Sequence, residues 1–374
     1  MPGGAPSITA VLHAPREIHL EERHEPDPGP GEVQVRVRAT GLCGSDLHYY
    51  LHGRNGNFAM RSPLVLGHES SGDVLAVGAG VVQVKPGDRV AIEAGVPCKK
   101  CEYCKEGRYN LCKGMQFRSS AKVYPHFDGL LRQVVNHPAD MVYKIPDSMS
   151  YHVAALLEPF SVSLHALRRA MPLPGSTSFV YGAGAVGLLT AALCKYYGAS
   201  RVIIADIDDG RLEFAVKNGY ADEKFLVPMG KYRAGPEAIE EGQEVVSQIV
   251  QLSGADGFDV TWECTGVETS VQKAIATTKA GGKAVFIGMG TPVQTFPLGA
   301  ATLREVDVIG VFRYANTYPA AIRIANSGRL PDLSKLVTHT FNLQESTKAF
   351  ETARTAKDTR GALVVKVMVE SRTM

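Results

Sequence analysis

The segment at residues 176–207 reads STSFVYGAGAVGLLTAALCKYYGASRVIIADI: an apolar strand, a glycine-rich turn, an apolar helix and a second apolar strand. Within it, Gly182, Gly184 and Gly187 form the pattern GxGxxG. Between a strand and a helix, the first glycine permits a tight turn, and the second lets backbone N–H groups approach a pyrophosphate. The third lets helix and strand pack closely. The segment therefore predicts a βαβ unit that binds a dinucleotide.

The second strand of this unit ends at Asp206, and 206 − 187 = 19 residues separate it from Gly187. This is close to the roughly 20 residues expected for the acidic residue that binds a ribose. A carboxylate accepts hydrogen bonds from the ribose hydroxyls and repels a 2′-phosphate, so we predict NAD rather than NADP. Arg211 offers a cation nearby that works against this preference.

The two parts of the chain differ in pattern. Later apolar runs that alternate with helical segments predict a doubly wound parallel sheet; they lie at 258–264, 283–289 and 306–312. The first 155 residues instead contain short alternating runs bounded by Gly and Pro, which predict a β-rich, partly barrel-like domain. These runs lie at 32–40, 71–81 and 88–93.

The size and charge of the chain exclude few classes of function, but they indicate the number of domains, the kind of partner and the cellular location. A chain of 374 residues is long enough for two domains, and its net charge of +2 gives no indication of a nucleic-acid partner. No long apolar run predicts a membrane span. The N-terminal segment lacks the basic and apolar regions of a secretory signal, so we expect a cytoplasmic protein.

Four of the seven cysteines form a compact array, CxxCxxCx7C; they are Cys98, Cys101, Cys104 and Cys112. In a cytoplasmic chain such an array indicates metal ligands rather than disulfides. Four thiolates can surround one tetrahedral zinc ion and leave no open coordination position, so we predict a structural zinc. The spacing also suits an iron–sulfur cluster, although no second cluster motif supports that alternative.

A second set of metal-ligating residue types is dispersed along the chain. Cys43 lies in GLCGSDLHYY, His68 and Glu69 lie in GHE, and Glu158 lies in LLEPFSVSLH. Cysteine, histidine and carboxylate all bind zinc, and three protein ligands with an open fourth position make a catalytic site. Ser45 and His48, which follow Cys43 closely, are predicted to relay a proton, and Asp46 is predicted to orient His68.

These motifs together resemble the zinc-dependent medium-chain dehydrogenases; those that carry the resemblance are CGSDLHYY, GHESSG, the four-cysteine array, LLEPFSV, GxGxxG with its distal Asp, and VFRYANTYP. Within that family the chain is most similar to the polyol branch of sorbitol, xylitol and L-arabinitol dehydrogenases. The resemblance covers nearly the whole chain. It implies an α/β fold with a β-rich GroES-like catalytic domain from residues 1–157 and 301–374. It also implies a doubly wound Rossmann NAD-binding domain from residues 158–300, and a homotetramer.

The resemblance also implies roles for individual residues. Cys43, His68 and Glu69 match the ligands of a catalytic zinc, and Glu158 matches a residue that contacts this zinc directly or through water. Substrate contacts are implied for Tyr49, Glu158, Arg313 and Tyr314. NAD contacts are implied for Gly182, Gly184, Val186, Gly187, Asp206, Arg211, Ile287, Gly288, Met289, Val311, Phe312 and Arg313.

The expected activity is the zinc- and NAD-dependent oxidation of a sugar alcohol to a ketose, with sorbitol (D-glucitol) as the first candidate. The complete four-cysteine array is more similar to microbial polyol enzymes such as L-arabinitol 4-dehydrogenase. Xylitol dehydrogenase is the other alternative. The segment GRNGNFAMRSPLVLGHE favours sorbitol dehydrogenase.

Two rival classes remain. One is a non-catalytic relative of the same fold, which the intact set of zinc ligands disfavours. The other is a nucleic-acid binder that uses the cations of the four-cysteine segment: Lys99, Lys100, Lys105, Arg108 and Lys113. Intervening acidic residues disfavour it.

Overall fold

The computed structural model describes residues 4–371 of the chain. The strands are β1 Ala5–Ala14, β2 Glu17–Glu25, β3 Glu32–Gly41, β4 Arg54–Asn55, β5 Phe58–Ala59, β6 Leu64–Val65, β7 Glu69–Val77, β8 Arg89–Ile92, β9 Gly95–Val96, β10 Gln116–Phe117, β11 Val134–Pro138, β12 Val142–Lys144, β13 Thr177–Tyr181, β14 Arg201–Asp206, β15 Glu223–Leu226, β16 Phe258–Glu263, β17 Thr278–Phe286, β18 Asp307–Gly310, β19 Val337–Asn342 and β20 Lys366–Glu370. The α-helices are α1 Gly44–His52, α2 Glu102–Lys105, α3 Tyr151–Ala155, α4 Leu157–Ala170, α5 Ala185–Tyr196, α6 Asp209–Lys217, α7 Pro236–Glu241, α8 Gln243–Ser253, α9 Glu268–Thr277, α10 Leu298–Thr302, α11 Tyr318–Ala325 and α12 Ser346–Ala353. Among these residues, no helix has the length and apolar character that a membrane crossing requires.

The described chain divides into two compact units. One contains the residues up to Glu158, the segment Tyr318–Asn326 and the residues from Leu333 onward; the other contains Pro159–Thr317 and Ser327–Asp332. The prediction that the chain returns to the catalytic domain at residue 301 places this boundary too early. Strand β18, which lies after residue 301, pairs with β17 and completes the sheet of the second unit. Residues 1–3 and 372–374, which the predicted catalytic domain includes, lie outside the described residues.

The first unit is built around a seven-stranded sheet in the order β12-β8-β7-β3-β20-β19, with β11 also paired to β3. The alternating runs of the sequence form β3, β7 and β8, as predicted. Val33, Val35 and Val37 of β3 are fully buried and pack in one apolar cluster. Because β3 pairs with β7, β11 and β20, the end of this strand lies among residues that are far apart in the sequence.

The second unit contains a six-stranded parallel sheet in the order β15-β14-β13-β16-β17-β18. Phe179, Ile203 and Trp262 are fully buried, as expected for a parallel sheet that is covered on both faces. The strand order reverses between β13 and β16, which is the doubly wound topology predicted from the alternation of strands and helices. In such sheets a ligand binds in the crevice outside the carboxyl ends of the strands at this reversal.

A buried carboxyl group links the four-cysteine segment to the sheet of the first unit. Glu93 follows β8 and is fully buried, and its two oxygens accept hydrogen bonds from Tyr109 (2.7 Å) and Tyr143 (2.8 Å). Tyr109 lies between Cys104 and Cys112, and Tyr143 lies in β12. Burial raises the pKa of Glu93 to about 7, although both tyrosine hydroxyls act in the opposite direction.

We predict that this carboxyl group gives the protein a measurable pH dependence of stability. The pKa of Glu93 is raised above its ordinary value of 4.5, so its contribution is complete below pH 4.5 and is lost as the pH rises through about 7. Relative to Glu93→Gln, the unfolding free energy of the wild type should fall by about 3 kcal/mol across this range. Urea unfolding of both proteins at several pH values measures this difference, and parallel pH profiles would contradict the prediction.

Candidate active site

The N-terminus of α1 gathers several segments around one carboxylate. Asp46 is fully buried, and its Oδ2 accepts a hydrogen bond from the backbone N–H of Cys43, the residue that precedes the helix (3.1 Å). Its Oδ1 accepts hydrogen bonds from the backbone N–H of Gly67 (3.1 Å) and from the hydroxyl of Ser119 (2.6 Å). A carboxylate that reaches back to the residue before its own helix stabilises the helix end. Asp46 therefore holds the turn before β7 against α1.

His68 lies directly beside this carboxylate. Its Nδ1 is 3.2 Å from Asp46 Oδ1, an ion-pair contact without the angle of a linear hydrogen bond. Burial opposes a charge on His68, but Asp46 and Cys43 outweigh it and raise the pKa of this imidazole well above its usual range. Burial also opposes the charge of Asp46, but His68, Ser119 and the N–H of Cys43 lower the pKa of its carboxyl group.

Three of the residues predicted as zinc ligands lie together in the first unit. One ligand atom from each of Cys43, His68 and Glu69 lies within 4.8 Å of the other two. Ligand atoms bound at 2.0–2.3 Å to one zinc ion are at most about 4.6 Å apart, so this set fits zinc with small adjustments. Space for the Glu69 carboxylate depends on Gly41 of the paired strand β3, because a Cβ there would lie 2.2 Å from Glu69 Oε2.

The other residues predicted near this set are placed as follows. Glu158 is buried near the start of α4 and does not belong to the set whose ligand atoms lie within 4.8 Å of one another. Tyr49 is buried, and its hydroxyl accepts a hydrogen bond from the backbone N–H of Ala121 (3.0 Å). Ser45 is half-buried and His48 is exposed, both in α1. Partial burial, together with neighbouring His52, lowers the pKa of His48.

A lysine that sequence reasoning missed contacts the same set. Lys366 Nζ lies 2.8 and 2.7 Å from the two carboxylate oxygens of Glu69 and 3.0 Å from the carbonyl oxygen of Leu42. Only 6% of the lysine side chain is exposed. Burial opposes the charge on this ammonium group, but Glu69, Cys43 and Glu158 raise its pKa. A single lysine within the apolar run VVKVMV was the signal in the sequence.

The second metal-ligating set is the four-cysteine segment. One sulfur from each of Cys98, Cys101, Cys104 and Cys112 lies within 4.8 Å of the others, and the Sγ atoms of Cys101 and Cys104 are 3.6 Å apart. Backbone N–H groups of Lys100 and Cys101 lower the pKa of the Cys98 thiol to about 6. Four converging thiols, one of them easily deprotonated, suit a tetrahedral zinc.

The cations of this segment are partly engaged by acidic residues. Lys99 Nζ lies 2.6 Å from an oxygen of Asp140, and Lys113 Nζ lies 3.0 Å from an oxygen of Glu102. Such pairs reduce the positive potential that a nucleic-acid backbone would require.

The glycine-rich turn of the second unit has the geometry that its pattern predicts. Gly182 has a φ of 99°, in the region that favours glycine, and it joins β13 to the turn. A Cβ at Gly187 would lie 1.8 Å from the carbonyl oxygen of Gly182, whereas a Cβ at Gly184 would point into open space. Asp206 Oδ2 accepts a hydrogen bond from the N–H of Ala183 (2.7 Å), and its Oδ1 accepts one from the N–H of Asp208 (3.0 Å). Asp206 is thereby held beside the turn at the end of β14.

The remaining residues predicted to contact NAD lie in or after elements at the same sheet edge. Val186 lies in the first turn of α5, Arg211 lies in the first turn of α6, Ile287–Met289 follow β17 and Val311–Arg313 follow β18. Arg313 has a φ of 52°, which is uncommon for a residue other than glycine, and its guanidinium lies 4.8 Å from the ring centroid of Phe312. The next residue, Tyr314, is buried.

Sequence reasoning also missed Glu263, which ends β16 at this edge. The buried carboxylate accepts hydrogen bonds from the backbone N–H groups of Thr265 (2.8 Å) and Gly266 (2.9 Å), and it contacts the Thr265 hydroxyl. It shapes the turn whose backbone packs against Gly288. An acidic residue at the end of the apolar run FDVTWE was its signal.

Two family models match this chain, one in the β-rich unit and one mainly in the unit with the parallel sheet. The family model described as "Alcohol dehydrogenase GroES-like domain" matches residues 29–147, and the one described as "Zinc-binding dehydrogenase" matches residues 185–327. Sorbitol dehydrogenase of Mus musculus is 43% identical over 353 residues, which are 94% of each chain. Sorbitol dehydrogenase of Bacillus subtilis (strain 168) is 41% identical over 362 residues, 96% of each chain. An alcohol dehydrogenase of Escherichia coli CFT073, solved in complex with NADH, has a TM-score of 0.83 at 27% identity and covers 99% of this chain and 100% of its own.

Two alanine substitutions should separate the roles of the glycines. Gly187→Ala forces a Cβ against a carbonyl oxygen and should lower the unfolding free energy by about 3 kcal/mol, at the upper end of the usual overpacking penalty. Gly184→Ala has room in the fold and should cost much less stability while weakening NAD binding at least tenfold, because the second glycine of this pattern is the one at which backbone approaches a pyrophosphate. Thermal unfolding and fluorescence titration with NADH measure both effects. Equal losses of stability in the two variants would contradict this assignment.

Proposed function

The chain belongs to the zinc-dependent medium-chain dehydrogenases, and we propose that this NAD-dependent polyol oxidoreductase oxidises sorbitol to a ketose. The observation that carries the proposal is the convergence of Cys43, His68 and Glu69 on one point of the β-rich unit. Support for sorbitol comes from relatives that carry the name sorbitol dehydrogenase and align over nearly the whole chain. L-arabinitol and xylitol are the alternatives, because they present similar adjacent hydroxyl groups.

We assign the catalytic zinc to Cys43, His68 and Glu69, with Glu158 acting on it through a water molecule. When bound, zinc acts as a Lewis acid that favours loss of the proton from a substrate hydroxyl. Thiolate and carboxylate from Cys43 and Glu69 balance the charge of the ion. A third anion bound directly would make the site negative, and the position of Glu158 outside the compact set favours an indirect role. This leaves an oxygen-rich face that suits adjacent hydroxyls of a polyol.

We assign the transfer of the substrate's hydroxyl proton to residues of α1. Contacts with the remaining substrate hydroxyls are assigned to α1 and to the segment after β18. His48 lies in α1 with its ring partly exposed, and partial burial beside His52 lowers its pKa, which favours the neutral imidazole that accepts a proton passed on by Ser45. Tyr49, Arg313 and Tyr314 are assigned to substrate contacts. The planar guanidinium of Arg313 provides several fixed donors for hydroxyl oxygens.

NAD is assigned to the carboxyl edge of the parallel sheet. The carboxylate of Asp206 accepts one backbone hydrogen bond on each oxygen, and each oxygen keeps a further lone pair for a ribose hydroxyl. Its negative charge disfavours the 2′-phosphate of NADP, and nearby Arg211 moderates this preference. Backbone groups of residues 287–289 and 311–313 are assigned to the rest of the cofactor.

The proposal also includes a structural zinc, the roles of the two units, the cellular location and the oligomeric state. We assign one structural zinc per chain to the four-cysteine segment, in addition to the catalytic zinc. The β-rich unit then serves as the catalytic domain, and the unit with the parallel sheet serves as the NAD-binding domain. All seven cysteines are free, as is usual in the reducing cytoplasm, where we place the enzyme. A homotetramer is proposed from the resemblance to the polyol branch.

Steady-state kinetics with a panel of alcohols tests the substrate. We expect kcat/KM for sorbitol to exceed that for xylitol, L-arabinitol and ribitol, and to exceed that for ethanol by at least 1000-fold, because ethanol has no second hydroxyl. NAD should be preferred over NADP. Highest kcat/KM with L-arabinitol would move the assignment to L-arabinitol 4-dehydrogenase, and equal activity on ethanol would refute the polyol site.

Two cysteine substitutions test the division between the metal sites. Cys43→Ser should lose turnover by at least 1000-fold while the folded structure and NADH binding are retained. Cys101→Ser should lose the second zinc and lower the unfolding midpoint by several degrees. Its effect on kcat should be much smaller than that of Cys43→Ser. Zinc content by mass spectrometry, thermal unfolding and kcat are measured for both. If both variants lose kcat to the same degree with the same stability, the two sites do not have separate roles.

A further inference from the structure

The ion pair between Lys366 and Glu69 lies inside the β-rich unit, away from solvent. Lys366 Nζ is within 2.8 Å of both carboxylate oxygens, and the side chains are only 6% and 1% exposed. The ammonium group also donates to the Leu42 carbonyl oxygen, which fixes it beside the strand that leads to Cys43. This lysine begins β20, a strand that returns to the sheet near the end of the chain.

A buried pair of this kind is sensitive to the loss of either partner. Removing one member leaves an uncompensated charge in a poorly solvated place, which is far more destabilising than removing both. The acidic groups whose charge acts on Lys366 are Glu69, Cys43 and Glu158, and the first two are zinc ligands in the proposed function. The ammonium group and a zinc ion therefore interact with the same negative charges.

We propose that Lys366 is a positioning residue that balances the charge of Glu69 whenever zinc is not bound, and that it thereby sets the zinc affinity of the Cys43, His68 and Glu69 set. This inference rests on the proposed function. Zinc binding to the wild-type site must proceed against a neighbouring positive charge and draws on a carboxylate that is already paired. The lysine thus keeps the site folded before metal loading and weakens the binding of the ion.

The test uses Lys366→Met, which removes the charge and retains an unbranched apolar chain of similar length. Lys144→Met is the matched control, because Lys144 is also paired with a carboxylate (Asp88, 2.9 Å) but is 55% exposed. Zinc-free protein is prepared from the full-length enzyme by dialysis against a chelator. Zinc dissociation constants come from competition with a chromogenic chelator, and the Cys43→Ser variant identifies the signal of the four-cysteine segment.

In Lys366→Met, zinc becomes the main counter-charge of Glu69. We expect its dissociation constant at the Cys43 set to fall at least tenfold, and the gap in unfolding midpoint between zinc-loaded and zinc-free protein to widen. If zinc-free Lys366→Met does not fold at all, the supporting result is recovery of folding on addition of zinc that is lost when Cys43→Ser is combined with it, and equal recovery in both overturns the inference. Lys144→Met should match the wild type in both measurements.

The double variant Glu69→Gln/Lys366→Met separates charge from packing. It removes both charges, so the zinc-free double variant should be more stable than zinc-free Lys366→Met. Unchanged or weaker zinc binding in Lys366→Met overturns the inference, as does a double variant that is no more stable than that single variant. If the wild type holds no zinc beyond that of the four-cysteine segment, the proposed function itself fails, which is a separate outcome.

Discussion

A charge taken out of water must meet an opposite charge or several hydrogen-bond donors, and the β-rich unit is organised by this requirement. Asp46, Glu69 and Lys366 are almost completely buried and lie in α1, β7 and β20. Each is paired with a group from a different element, so none can be removed from the set without leaving a buried charge. The pairing of β3 with β7 and β20 brings Glu69 and Lys366 together, and a one-residue slip in either strand would turn one of them to the opposite face. Formation of the sheet thus places Lys366 beside Glu69, one member of the candidate metal-ligating set.

The parallel sheet assembles its ligand edge in a different way. Its central strands β13, β14 and β16 are mostly buried, so specificity is left to the residues at or after the carboxyl end of each strand. Gly182 permits the turn after β13, Asp206 ends β14 and holds that turn through the N–H of Ala183, and Glu263 ends β16 and holds a second turn. The carboxyl ends of these neighbouring strands lie at one edge, which is where sheets of this topology bind a ligand.

The four-cysteine segment is stabilised mainly by polar contacts. Its two short helical pieces, α2 and the 3₁₀ turn at Tyr109–Leu111, bury little apolar surface. The sulfurs of the four cysteines converge, and Tyr109 reaches from this segment to the buried carboxyl group of Glu93. In the proposed function, a zinc ion bound by these cysteines would stabilise the segment together with this buried hydrogen bond, in place of an apolar core.

Sequence alone determined the features that depend on local pattern. The strands at 32–40 and 88–93, the GxGxxG turn and the distance to Asp206 follow from periodicity and backbone geometry, which neighbouring residues encode. The array of Cys98, Cys101, Cys104 and Cys112 also lies in one segment, so its convergence was predictable. Only the tertiary structure decided which distant residues meet. Because β18 pairs with β17, the boundary between the two units lies after residue 301. The pairing of β20 with β3 places Lys366 beside Glu69, which is 297 residues away along the chain. Long-range strand pairing has no local signature, because the hydrogen bonds that define it join backbones and not particular side chains.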